Sequence, residues 1–362
     1  MVSRTKTRAE ALRLRRLFEQ AGATAIEADI LQPAEVLLDL YGEDIRGRAY
    51  VTSDALRGEQ MLRPDFTVPV VRAHMQDGAE PARYTYAGEV FRQQENAPER
   101  ANEYLQTGYE VFDRSNPEAA DAEVFSLIRA ALGDLPHRAA TGDIGLLMSA
   151  VSGLSTTEAR KSALMRHIWR PKRFRWLLDR FSGRLPVPET RAALLASVDP
   201  RAEAGPMIGL RSGAEIDARI SALHEDARAA PISETEISLI DALLSVRESL
   251  PNALGHLRDI AVDLPAIEPA VERLSRRIGA LADRGEEVER LDFEASYGRT
   301  SMEYYDGFVF GFYVEDRADL PPVATGGRYD ALTRVLGKGD AIPAVGGVIR
   351  PGLLLELERG EA

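Results

Sequence analysis

The stretch EVFRQQENAPERANEYLQTGYEVF, residues 89–112, reads as two short strands joined by a charged loop. If 83–92 is a strand, Tyr84, Tyr86, Gly88, Val90 and Arg92 share one face. With 104–113 as its antiparallel partner, Tyr104, Gln106, Gly108, Glu110 and Phe112 share one face too. Each face mixes aromatic and polar groups. That mixture suits the floor of a pocket, and it also suits an exposed amphipathic hairpin. The stretch alone leaves both open.

Outward from the hairpin, the chain alternates strands and helices. Ala11, Leu12, Leu14, Leu17 and Phe18 give residues 7–22 a helical period, ended by Gly22. ATAIEADILQPAEVLLDLYGE follows as a strand, a break at Pro33 and a short helix. A strand and a turn at Gly58 then lead, from Met61, into a helix near Thr67–Pro69, where proline in the first turn is tolerated. Past the hairpin come a helix over 117–132, a strand at HRAATG, a turn at Gly142–Asp143 and another helix.

From 154 to about 285 strand-like runs disappear, and helical spacing with Ser/Thr starts takes over. Strands return in RLDFEASYG, YYDGFVFGFYVE, TGGRYDALTRVLG and AIPAVGGVIRPGLLLELE. The expected architecture is α+β: one domain whose sheet-forming parts, 1–153 and 286–362, enclose a largely helical insertion, 154–285.

Several chemistries are excluded. Cysteine is absent, which removes disulfides, thiolate metal sites and a cysteine nucleophile, and fits a cytoplasmic protein. His74, His137, His167, His224 and His256 are scattered without metal-binding spacing. There is no nucleophile elbow, no phosphate loop and no dinucleotide fingerprint; TGGRY (325–329) reads as a loop or a plain turn. The basic N-terminus lacks the apolar core of a secretory signal, and no apolar run has the length of a membrane span. A net charge of −12 does not steer the chain to nucleic acid. WRPKRFRW (169–176) interleaves cations with two tryptophans, a phosphate grip or, more commonly, a helix whose arginines cover the rings.

Taken in order, these segments resemble the catalytic core of a class II aminoacyl-tRNA synthetase, specifically histidyl-tRNA synthetase, over about 1–150 and 290–362. MLRPDFTVPVVRA (61–73) is similar to the segment that receives the amino group of histidine. The hairpin is similar to the second class II motif, and MEYYDGFVF (302–310) to the histidine-specific tyrosine-pair motif. GGRYDAL resembles the adjoining glycine-rich loop, AIPAVGGVIRPGLLLEL the third motif, and ADILQP (28–33) the first, whose proline lies at a dimer interface. The resemblance implies an antiparallel sheet flanked by helices and a pocket for a histidine-like ligand. Asp65 would take the ammonium with Thr67 beside it, Arg92 a carboxylate, and Gln106 and Glu110 would line the pocket. Tyr304 and Tyr305 would pack against an imidazole or hydrogen-bond it, while Arg100, Arg299 and Arg328 are candidate phosphate or carboxylate contacts.

The departures are equally specific. The third-motif arginine that binds ATP falls on Leu353, with Arg350 three residues early. The carboxylate two residues after the hairpin arginine is Gln94, with Glu95 one place later, and the arginine before the tyrosine pair falls on Thr300 unless Arg299 serves. Losing one phosphate donor typically costs on the order of 10²–10³ in rate. The chain also ends where a synthetase continues into its anticodon-binding domain, so no such domain and no tRNA partner are expected. The better resemblance is to the synthetase-derived regulatory subunits that accompany short-form ATP phosphoribosyltransferase in histidine biosynthesis. It implies no catalysis and no cofactor, a homodimer within a hetero-oligomer, and the short-form catalytic subunit as partner. Histidine is the implied effector, either in this pocket or at the contact with the catalytic subunit. The competing expectation is a truncated enzyme that still forms histidyl-adenylate.

Overall fold

The computed structural model describes residues 2–41, 47–94, 100–202, 205, 208–299, 304–315, 317, 319–358 and 360. Twelve strands occur among them. β1 (Thr24–Ala25) lies at one edge of a nine-stranded sheet. β2 (Leu31–Pro33), β3 (Val51–Asp54) and β4 (Gly58–Leu62) form a separate three-stranded sheet in the order β2-β4-β3. β5 (Ala82–Phe91) and β6 (Glu103–Phe112) are the hairpin. β7 (His137–Asp143), β8 (Arg247–Ser249), β9 (Asp292–Glu294), β10 (Phe308–Val314), β11 (Ala324–Arg328) and β12 (Ala344–Ile349) complete the large sheet. Its order is β1-β5-β6-β12-β11-β10-β7-β9-β8.

The central six strands pair antiparallel, as the resemblance implied, but the sheet is mixed. β1 joins β5 and β9 joins β7 in parallel. The segment 154–285 is largely helical as expected, and the short strand β8 within it pairs with β9 at the far edge. One further expectation needs correcting. TGGRY is neither loop nor turn, since Ala324–Arg328 is a strand between β10 and β12. Likewise Gly142 and Asp143 end β7, and the Asp143 carboxylate caps the helix Ile144–Ser152 by accepting from Gly145 N at 2.8 Å.

Register assigns the two faces. Tyr84 lies opposite Glu110, Tyr86 opposite Gly108 and Gly88 opposite Gln106, and Gly346 of β12 lies opposite Glu110. Thr107, Tyr109, Phe308, Phe310 and Phe312 belong to the other face. There the helix Pro117–Ala131 seats Phe125 against Phe310 and Phe312, with ring centroids 5.3 and 5.1 Å apart. The helix Arg4–Gln20 packs Phe18 against Tyr109 on the same side. Both strands of the hairpin are interior to the sheet, so its mixed face is the floor of an enclosed space and not a solvated surface.

Candidate functional site

The floor holds a buried carboxylate. Glu110, 1% exposed, accepts hydrogen bonds from Tyr86 Oη at 3.0 Å, Thr67 Oγ1 at 3.1 Å and Tyr329 Oη at 2.5 Å. Three hydroxyls satisfy three of its lone pairs without a counter-charge. Burial raises its pKa to about 7; the hydroxyl donors oppose that rise and neighbouring Asp65 adds to it. Tyr86 is itself held by a stack on Phe66, with centroids 4.3 Å apart.

Glycine makes this geometry available. A Cβ on Gly346 would stand 1.4 Å from Glu110 Oε2, and one on Gly108 would stand 2.3 Å from the Tyr86 ring. Only bare backbone at those two strand positions lets the carboxylate and the ring lie flat on the sheet.

The seven residues implied for the pocket come together. Asp65, Thr67, Arg92, Gln106, Glu110, Tyr304 and Tyr305 line one cavity with Tyr86, Gly346, Gly347 and Val348. Thr67 heads the helix Thr67–Asp77, and Asp65 Oδ1 accepts from Val68 N at 3.4 Å. Arg92 Nε donates to Pro64 O at 2.7 Å, and Tyr304 Oη lies 3.5 Å from Thr67 Oγ1. The cavity is only about 10 Å³, room for a single water molecule. Its own side chains fill it.

The three additional arginines lie elsewhere. Arg328 leaves the opposite face of β11 and is bound by Asp121 at 2.7 Å, Asp330 at 2.9 Å and Pro117 O at 2.7 Å. Arg299 donates from Nε to Ile168 O at 2.9 Å and lies 4.9 Å over the Phe174 ring. Its Nη2 has no partner among the described residues, and burial, with Arg175 nearby, lowers its pKa to about 10. Arg100 is exposed, its Nη2 3.4 Å from Asp319 O. Glu95 and Thr300 lie outside the described residues.

At the third-motif position Leu353 packs partly buried against the core, while Arg350 Nη1 donates to Pro322 O at 2.9 Å. WRPKRFRW takes the structural form: the helix Pro171–Phe181 buries Phe174, Leu177, Leu178 and Phe181, and Arg173 and Arg180 flank the Trp176 ring. Among the described residues no group of three or more metal-ligating acidic or imidazole side chains could hold an ion, and no helix is long and apolar enough to cross a membrane.

Tyr329 as a partner of Glu110 and Trp169 as a neighbour of the tyrosine pair are not evident from the sequence. Trp169 Nε1 donates to Tyr305 O at 3.1 Å. The available signal was the run of glycines inside strands, at 88, 108, 326, 327, 346 and 347, which marks close approach of other groups to the sheet.

Known proteins with this chain arrangement agree. A model of the histidyl-tRNA synthetase family matches residues 3–203 and 216–351, including most of the helical middle. An ATP phosphoribosyltransferase regulatory subunit from Brucella anthropi is 32% identical over 357 residues, covering 92% of this chain and 93% of its own. A crystal structure of an ATP phosphoribosyltransferase regulatory subunit/histidyl-tRNA synthetase from Bacillus halodurans superposes with a TM-score of 0.68 at 21% identity, over 98% of this chain and 79% of that one. A histidine–tRNA ligase subunit from Alicyclobacillus acidocaldarius gives 0.61 at 22% identity, over 99% and 94%. Those two structures speak for the fold, and the sequence relatives for the family. The chain belongs to the family of ATP phosphoribosyltransferase regulatory subunits, built on the histidyl-tRNA synthetase core.

Proposed function

We propose that this chain performs no catalysis of its own, binds the short-form catalytic subunit of ATP phosphoribosyltransferase, raises its activity and makes that activity sensitive to histidine. The observation that carries the reading is the third-motif position: where the synthetase places its ATP-binding arginine, Leu353 packs against the core and offers phosphate no charge.

Histidine would enter among Asp65, Thr67, Arg92, Gln106, Glu110, Tyr304 and Tyr305 when the tyrosine segment yields. Ammonium would meet Asp65, and carboxylate the Arg92 guanidinium. Regulation is then a coupling free energy, typically about 1–3 kcal/mol, between that site and the partner's active site. Homodimer formation through the small sheet completes the proposal, supported by the exposed Ile30, Leu31 and Leu56 around it.

The test is phosphoribosyl transfer to ATP by a short-form catalytic subunit, with and without this chain, each with and without histidine. Activation reversed by histidine is expected. A folded sample that leaves the rate unchanged would overturn the reading.

A further inference from the structure

The Tyr304–Asp306 strip separates two spaces. On one side its tyrosines fill the pocket. On the other lies an open cleft of about 440 Å³, lined by Asp306, Gly145, Met165 and Arg273 among others. The strip therefore has room behind it and none in front. A ligand of amino-acid size cannot enter a cavity that seats one water unless the tyrosines move, and the cleft is where they can go.

Two bonds tie the strip's surroundings to one turn of the helical segment. Trp169 Nε1 donates to the backbone carbonyl of Tyr305 at 3.1 Å. Arg299 Nε, on the chain leading to the strip, donates to Ile168 O at 2.9 Å and stacks on Phe174. Trp169 stands between the helix Glu158–Arg166, whose Met165 lines the cleft, and the helix Pro171–Phe181, which carries Phe174. The same turn thus touches the strip, the cleft and the arginine.

We propose that Trp169 is a positioning residue for the pocket: its indole N–H latches Tyr304 and Tyr305 closed, and binding of a small amino acid parts this bond as the tyrosines swing about Asp306, whose carboxylate stays anchored by Asp330 N at 2.9 Å and Ala331 N at 2.5 Å. The inference rests on the pocket reading above and deepens it, because release of Trp169 passes the event to the helix Pro171–Phe181. A free-energy cost of opening lowers apparent affinity by the fraction of molecules that are open. Weakening the latch therefore tightens binding, the reverse of what removing a merely structural contact would do.

Trp169→Phe keeps the ring and deletes the N–H. A net hydrogen bond of ordinary strength corresponds to roughly two- to tenfold in affinity. Calorimetric titration of the full chain with L-histidine is expected to give a dissociation constant lower by that factor in Trp169→Phe than in the wild type. A spectroscopic arm uses Trp176→Phe, which leaves Trp169 as the sole tryptophan of the two in the chain. Its emission is expected to shift on histidine addition, saturating with the calorimetric constant. Unchanged or weaker binding in Trp169→Phe, or a silent Trp169, overturns the latch while leaving the histidine pocket standing. A wild-type chain that takes up no histidine overturns the pocket reading, and the latch falls with it.

Discussion

The two faces of the central sheet treat buried charge in opposite ways. On the helix-covered face Asp121 and Asp143 are almost fully buried and fully paired. Arg277 reaches Asp121 at 2.7 Å and Asp143 at 2.8 Å, and Arg328 reaches Asp121 at 2.7 Å. On the pocket face Glu110 is as deeply buried, but its hydrogen bonds come from three neutral hydroxyls. Carboxylates matched to guanidinium ions serve the fold. A carboxylate held by hydroxyls alone among the described residues keeps its pKa raised to about 7, the kind of perturbation that clusters at functional sites.

Breaking the paired side has the largest expected effect. Arg277→Met strands Asp143 without its cation and halves the pairing of Asp121, a loss of about 3–5 kcal/mol for a severed buried pair. Urea denaturation checks it, and a change under about 1 kcal/mol would erase the contrast between the faces. The pocket side shows itself in pH dependence. Because Glu110 holds its proton more tightly folded than unfolded, its contribution to stability is complete below about 4.5 and is lost as pH rises through about 7. The shift corresponds to about 3 kcal/mol. Denaturation midpoints at pH 5 and 8 should therefore converge in Glu110→Gln, apart from the share of Asp306, which burial and Asp330 also raise to about 7.

Smaller effects sharpen the comparison. Gly346→Ala places a methyl on the Glu110 carboxylate and should cost about 1–3 kcal/mol, as overpacking does. Combining it with Glu110→Ala should cost less than the sum of the two, the signature of a direct contact. Arg299→Met replaces a buried cation that has no carboxylate partner among the described residues, and should change stability by within about 1 kcal/mol in either direction. A loss as large as that of Arg277→Met would show that Arg299 is paired in solution.

What was legible in the sequence was local. The hairpin's alternation placed Gln106, Gly108 and Glu110 on one face, and the structure seats them there because a strand's period is two. The glycines recorded that something lies close to the sheet. They could not name it, because Gly346 meets Glu110 only once β12 pairs with β6 across most of the chain. For the same reason the arginines were harder. Whether Arg328 faces a ligand or a buried aspartate depends on Asp121, which sits on a helix distant in sequence. Pocket volume was illegible altogether: the residue types that line an open site also fill a closed one, and Tyr329 tips the balance by reaching Glu110 from β11's end.

A synthetase core with a closed pocket is expected to act on a partner and not on its own substrates. The most direct test assays one preparation twice, for histidine-dependent ATP–pyrophosphate exchange alone and for phosphoribosyl transfer with a short-form catalytic subunit. Exchange at background with transfer raised by the chain is expected, and exchange above background with transfer unmoved would overturn the regulatory reading.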